Sequence, residues 1–335
     1  KNVILIPENN FGDASYLQNL SRLIQIFRQT GLNVRLGCWN CTEPTEILLP
    51  DETSLMLEPL QRSPNGRRIV LKNFDPCTII LNNDLAAGMP SILDNVNEQN
   101  LLPPVHAGWT VRRKNNHFSA YDEVTKKFGK LIDVDPWMLN PLFGKIGQIN
   151  LLEAEGEQIL ATTVDGLLSK IRKKYKEYGI KEKPFVIVKG NASTDGMGIL
   201  TVRDAKELHD LHKRDDLRVG KDGSHLSDVV VQEGVYTFER INDAVTEPVV
   251  YMIDRYVVGG YYRVHAERGT DENLNIPGSR FVPLAFAQQH AIPDVHARPG
   301  TTAPNRFYMY GVVARLALLA ASLEMERTDP NPEVY

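Results

Sequence analysis

Phe185-Val186-Ile187-Val188-Lys189 is an apolar run ending in a lysine, and Gly190-Asn191-Ala192-Ser193-Thr194-Asp195-Gly196-Met197-Gly198 comes directly after it. Glycines let backbone N–H groups turn toward phosphate oxygens, and a lysine supplies the compensating charge. The element after such a loop decides its class. A P-loop or a dinucleotide fingerprint opens a helix, because the phosphate then sits on the helix N-terminus. Here Ile199-Leu200-Thr201-Val202 resumes a strand, with no Gly-Lys-Ser/Thr ending and no third glycine of G-x-G-x-x-G. The spacing predicts a strand–loop–strand flap able to close over a triphosphate, with a plain hairpin as the alternative. The missing fingerprint argues against a dehydrogenase.

Two later segments carry compatible chemistry. Val229-Val230-Val231-Gln232-Glu233-Gly234-Val235 is an apolar strand with a polar end. It suits a hinge whose backbone reads an adenine edge and whose acidic side chain accepts ribose hydroxyls, or else an ordinary edge strand. Val249 to Asp254 and Tyr256 to Arg263 read as a hairpin turning near Asp254 and Arg255. An inward Arg263 can neutralise charge on a transferring phosphoryl group. Asn273 and Asn275 offer amide oxygens to Mg²⁺, without the negative charge that ion favours. A surface hairpin followed by a Pro-Gly turn is the plain alternative.

The elements that must position these groups show the pattern of an α/β protein. Val3-Ile4-Leu5-Ile6 stops at Pro7 and opens on Glu8-Asn9-Asn10. Leu17, Leu20, Ile24 and Phe27 form a helical stripe, and Val34-Arg35-Leu36, Ile69–Leu71 and Thr78–Leu81 read as further strands. Strand, helix, strand at this spacing predicts a parallel sheet covered by helices, with ligands beyond the carboxyl ends of its strands. Glu8 and Asn82 hold such positions. Residues 100–150 read as an irregular functional connector. A helix through Val164, Leu167, Leu168, Ile171 and Tyr175 has its lysines on a solvated face rather than a nucleic-acid surface. Strands dominate until Tyr310, where a final apolar helix begins.

Bulk properties narrow the class. The chain has 335 residues, 42% hydrophobic and 24% charged, with a net charge of -4. That length suits two or three packed domains, and that charge gives no general pull toward nucleic acid or acidic membranes. No apolar run approaches the roughly 20 residues of a bilayer span, and the first strand leaves no room for a signal peptide. A cytoplasmic protein with small-molecule partners is expected. Cys38-Trp39-Asn40-Cys41 lacks the further ligands of a zinc site, and reduced structural cysteines are the preferred reading.

The order of lysine strand, glycine flap, hinge strand, arginine hairpin and Asn-rich loop resembles ATP-grasp enzymes. Phe185–Val202, Val229–Phe238 and Pro248–Phe286 resemble the proteobacterial glutamate–cysteine ligase family, and the likeness extends to Asn82–Met89 and Trp109–Phe118. The resemblance implies an N-terminal parallel α/β domain over 1–130, then an ATP-grasp-like part with mainly antiparallel sheets, its lid over 131–235 and its C-terminal subdomain over 236–335. It also implies ATP and Mg²⁺ as cofactors and a γ-glutamyl phosphate that the cysteine amine attacks, the first step of glutathione formation.

Carried over residue by residue, Lys189 contacts phosphates and Ser193, Gly196, Met197 and Gly198 cover them. Gln232, Glu233 and Val235 hold adenine and ribose, Arg263 faces the transferring phosphoryl group, and Lys145 is a candidate second nucleotide lysine. Arg112, Arg113 and Lys114 suit the carboxylates of amino-acid substrates, with a solvated loop as the alternative. The chain departs from the ATP-grasp pattern in lacking a Glu-x-Asn metal pair after its last helix, which instead ends with Glu324 and Glu326. Another ATP-grasp carboxylate–amine ligase and a nucleotide-binding protein without catalysis are the competing readings.

Overall fold

The computed structural model describes the chain except residues 50–52, 152, 193–198, 210–226, 277, 285–305 and 331–335. The flap residues Ser193, Gly196, Met197 and Gly198 lie outside the described residues. Two compact units emerge, 1–112 with 328–335, and 113–327.

In the first unit, β1 (Asn2–Ile6) leads to α1 (Ala14–Gln29), capped by Asp13, whose carboxylate accepts from the N–H groups of Ser15 and Tyr16. The chain continues through β2 (Asn33–Cys38), β3 (Thr45–Leu48), β4 (Ser54–Pro59), β5 (Gln61–Arg62), β6 (Ile69–Val70), β7 (Thr78–Leu81) and β8 (Asn100–Leu102). Six strands form one sheet in the order β3-β4-β2-β1-β7-β8. All its pairs are parallel except β3 with β4 at the edge. The chain departs from β1 toward β2 on one side and toward β7 on the other, so the strand order reverses at β1 and β7. In open α/β sheets that reversal opens a crevice at the carboxyl ends, where ligands sit.

Alternation along β1 builds both sides of the core. Val3 and Leu5 pack with Leu17, Leu20 and Ile24 of α1, while Ile4 and Ile6 pack with Leu60, Ile69, Leu71 and Phe74. The expected helical cover is thus found on one face. The other is covered by irregular chain and by the separate β5–β6 ribbon, which takes Ile69 and Val70 out of the main sheet.

The second unit opens with α2 (Lys114–Ile132), a 19-residue helix where the sequence suggests irregular chain. Its weak helix formers at the start, Asn115, Asn116 and His117, hide it from propensity. After β9 (Phe143–Gln148) comes α3 (Ala154–Glu177), then β10 (Val186–Gly190), β11 (Leu200–Val202) and β12 (Asp228–Glu233). These strands make an antiparallel sheet in the order β11-β10-β12-β9. Leu160, Val164, Leu167, Leu168 and Ile171 of α3 cover one face through Val186, Val188, Leu200, Val202, Val229 and Val231.

A second antiparallel sheet contains β13 (Arg240–Ile241), β14 (Ala244–Ile253), β15 (Tyr256–His265) and β16 (Arg280–Pro283). Its long hairpin turns at Asp254 and Arg255 as expected, with Asp254 at a φ of 52°. Parallel α/β architecture followed by antiparallel sheets is the expected order.

The last helix, α4 (Arg306–Thr328), corrects one expectation. Its stretch Tyr308–Thr328 is long and apolar enough to cross a bilayer by length and composition, with a mean hydropathy of 1.3. It packs Leu316 and Ala320 on Ala120, Tyr121 and Val124 of α2. Glu324 is buried, and its carboxylate lies 3.1 Å from the His117 ring nitrogen Nδ1.

Two glycines of α3 separate packing from propensity. A Cβ on Gly156 would lie 2.0 Å from the Asn150 carbonyl oxygen, whereas one on Gly166 meets nothing within 4 Å. Gly156→Ala is therefore expected to lower the stability, by ~2 kcal/mol or more from overpacking, and the melting temperature with it. Gly166→Ala should raise the stability, by up to about 1 kcal/mol of helix propensity. Thermal denaturation of both variants checks the pair.

Candidate functional site

With Val186, Val188, Val229 and Val231 turned toward α3, strand alternation sends Ile187, Lys189, Val230 and Gln232 to the opposite face. Phe143 pairs with Gln232 and Lys145 with Val230, so both join that face. Lys145 is exposed there. The Phe118 ring of α2 lies 5.5 Å from that of Phe143 in a tilted contact, and the Lys189 ammonium lies 5.0 Å from the centre of the Phe118 ring. Lys189 also donates to the Gln232 side-chain oxygen. Lys189, Lys145 and Gln232 are thus brought together on the sheet face left free by α3.

Lys114 reaches the same neighbourhood from α2. Arg113 precedes the helix without capping it through its side chain. The cap comes from Asn191, 76 residues away: its carbonyl accepts from Lys114 N–H at 3.0 Å and its side-chain oxygen from Asn115 N–H at 2.9 Å. Asn191 in return donates through its amide to the Asn115 side-chain oxygen and to Asp228 at 3.1 Å. Both asparagines are buried. This clasp fixes the Lys114 ammonium 2.8 Å from the Gly190 carbonyl, one residue beyond Lys189.

The electrostatics follow from that crowding. Burial, and secondarily the positive charge of Lys114, push the Lys189 ammonium down to about 8. Burial lowers Lys114 as well. Two partly desolvated cations at one place attract an anion, and a polyphosphate is an anion of matching charge.

The other expected groups fall elsewhere. Glu233 faces α3, since it pairs with Val186, and its buried carboxylate accepts from the Trp137 indole at 2.9 Å and Leu142 N–H at 2.8 Å. Burial pushes it up. Glu233 and the exposed Val235 line a cavity of about 430 Å³ with Trp137, Tyr175, Tyr236 and Phe238. Gly234 between them is required: a Cβ there would lie 2.0 Å from the Phe185 ring. Arg263 stands on β15 and pairs with Glu247 across the hairpin. Arg112 belongs to the first unit, where its guanidinium lies 5.5 Å from the centre of the Trp109 ring.

Mg²⁺ ligation by Asn273 and Asn275 fits poorly. The Asn273 side-chain oxygen already accepts from Asn275 N–H at 2.9 Å, and the adjoining Asp271 and Glu272 pair with Arg203 and Arg268. No cluster of three metal-ligating side chains occurs among the described residues.

In the first unit, Glu8 sits in the crevice at the strand reversal. Its carboxylate accepts from Asn83 at 3.1 Å and from Asp84 N–H at 2.6 Å, while burial pushes it up. Asn82 N–H continues the ladder to Ile6. Tyr16 presents a buried hydroxyl with no well-aligned hydrogen-bond partner, beside Glu8 and Asn82. Sequence reasoning missed Tyr16, Asn115 and Phe118. Tyr16 lies one helical position before the Leu17 stripe and was legible; the partners of Asn115 were not.

Partly buried lysines gathered where β10 meets α2 are chemically suited to an anion such as a phosphate group. The match to known proteins is more specific. The chain matches the glutamate–cysteine ligase family over residues 1–325 and belongs to it, a family of ATP-dependent ligases that join glutamate to cysteine. A crystal structure from Methylobacillus flagellatus, carried under the provisional name gamma-glutamylcysteine synthetase, is 53% identical with a TM-score of 0.84. The match covers 98% of this chain and 77% of that one. D-cycloserine synthetase DcsG and D-alanyl-alanine synthetase A from Vibrio cholerae each share 10% identity, with TM-scores of 0.46 and 0.43. Those matches cover 99% and 96% of this chain and 83% and 81% of theirs, and likeness at that level carries no weight. No curated protein sequence matches.

Two variants test the clasp and its charge. Asn191→Ala strips a helix cap and strands the Asn115 amide, and should cost about 1–3 kcal/mol in chemical denaturation. Lys189→Met should stabilise the free protein at neutral pH, on the order of 3 kcal/mol for a fall from 10.5 to about 8 at 1.36 kcal/mol per pKa unit. The sign is set by linkage: between about pH 8 and 10.5 the unfolded chain holds the proton that folded Lys189 has lost. Stability from this group therefore rises with pH across that window. The Met variant should lose that rise.

Proposed function

We propose that this ligase binds the ATP polyphosphate on the sheet face carrying Lys189, with Lys114 beside it and Lys145 farther along, in an ATP-grasp-like arrangement. The observation that carries the proposal is the Asn191–Asn115 clasp, which holds two depressed lysines within reach of one anion. Lys114 thereby moves from the amino-acid carboxylates to the nucleotide. Gln232 orients Lys189, and the glycine-rich sequence over 193–198, outside the described residues, keeps the covering role that the family resemblance implies.

In the proposed reaction an oxygen of the glutamate side-chain carboxylate attacks the γ-phosphorus, and the bond to the ADP oxygen breaks. The cysteine amine then attacks the acyl carbon, releasing inorganic phosphate and one proton. The protein's work is positioning and charge neutralisation. Arg263 is held by Glu247 at rest and is assigned to the transferring phosphoryl group. Mg²⁺ enters as the partner of the triphosphate's own oxygens, and no step is assigned to a protein-held ion. Glu8, Asn82 and Tyr16 are assigned to an amino-acid substrate in the first unit's crevice, and a cytoplasmic location belongs to the same reading.

Lys114→Ala and Lys189→Ala should each weaken Mg·ATP binding by at least tenfold in calorimetry, while Arg112→Ala leaves it unchanged. Unaltered affinity in both lysine variants would remove the phosphate site. Because the free enzyme must present a protonated Lys189, kcat/KM for ATP should fall tenfold per pH unit above about 8. A plateau extending to pH 10 would contradict this assignment. Phosphate release across an amino-acid panel tests the substrates: glutamate with cysteine should exceed every other pair.

A further inference from the structure

Cys38 closes β2, held by its own carbonyl, which accepts from Leu60 N–H at 2.9 Å. Trp39 and Asn40 then bend the chain and bring Cys41 back over it. The Asn40 N–H donates to the Cys38 sulfur at 3.2 Å. The Cys41 thiol donates to the Cys38 carbonyl at 3.7 Å and also interacts with the Cys38 side chain. Both cysteines are half-buried, and neither is in a disulfide. Cys77, the third cysteine, is exposed and donates to the Asn2 carbonyl at 3.2 Å.

The two sulfurs are not equivalent. Cys38 receives an N–H donor, so negative charge on its sulfur is met by the backbone. Burial, and then the neighbouring Cys38, push the Cys41 thiol up to about 12, which keeps its proton in place. One sulfur stands at the end of β2 and the other just past the bend that follows it, three residues on.

We propose that Cys38 and Cys41 form a thiol–disulfide exchange site for small-molecule disulfides, with Cys38 attacking and Cys41 resolving. The Cys38 thiolate attacks one sulfur of RSSR, forming a mixed disulfide and expelling RS⁻. The Cys41 sulfur then attacks the Cys38 sulfur of the mixed disulfide, its proton passing to the departing RS⁻, which leaves as RSH. Two protein thiols are oxidised and one small disulfide is reduced to two thiols. The result closes the Cys38–Cys41 bridge at the carboxyl end of β2. The proposal concerns the first unit alone and is independent of the ligase chemistry.

The test uses the full chain and oxidised glutathione as the probe. Incubation, acid quenching and peptide mapping should show a Cys38–Cys41 bridge, with free thiols falling from the chain's three cysteines to one. Cys41→Ser should stop at glutathione attached to Cys38, and Cys38→Ser should react at least tenfold more slowly. Three thiols surviving excess oxidised glutathione would overturn the proposal. So would modification confined to Cys77, or a Cys38→Ser variant reacting at the wild-type rate.

Discussion

The second unit depends on an amide–amide clasp. Asn191 reaches α2 from the end of β10 and satisfies two N–H groups that Arg113 leaves uncapped, while Asn115 returns the bond. Helix N-termini leave several donors without intrahelical partners, and a buried one without a partner costs free energy. Satisfying them from a distant strand welds helix to sheet. It also fixes where Lys114 and Phe118 stand relative to Lys189, because all three belong to the elements that the clasp joins.

That geometry sets stability against function. Packing apolar side chains against Lys189 would be better for the fold than a half-buried ammonium beside another cation. The Phe118 ring and the Gln232 oxygen meet part of the need, since an aromatic face and an amide oxygen each attract positive charge. In the proposed site the two ammonium groups are positioned before the nucleotide arrives, so that a polyphosphate would meet a preorganised field. Arg263, by contrast, has its charge met by Glu247 across the hairpin.

Some of this was legible in the sequence and some was not. The lysine strand, the hairpin at Asp254 and the parallel N-terminal sheet are set by periodicity and turn chemistry. So is the position of Glu8 beyond β1. The helix α2 was missed because its first residues favour loops, and its cap is a residue 76 positions later that local rules cannot reach. For the same reason Lys114 read as part of a three-residue basic cluster with Arg112 and Arg113. Strand alternation alone would have separated Gln232 from Glu233, putting the acidic side chain on the α3 face against Trp137. The apolar length of α4 is hard to see residue by residue because Arg315 interrupts it, although the composition of Tyr308–Thr328 reaches the span of a bilayer.

The central claim is that Lys189 is held partly desolvated next to Lys114 so that a polyphosphate completes it. Lysine-selective ¹³Cε NMR on the free protein measures this directly. One resonance, lost in Lys189→Met, should titrate near 8. It should move upward when Mg·ATP is added. A Lys189 resonance titrating at the ordinary lysine value, unmoved by nucleotide, would contradict the account.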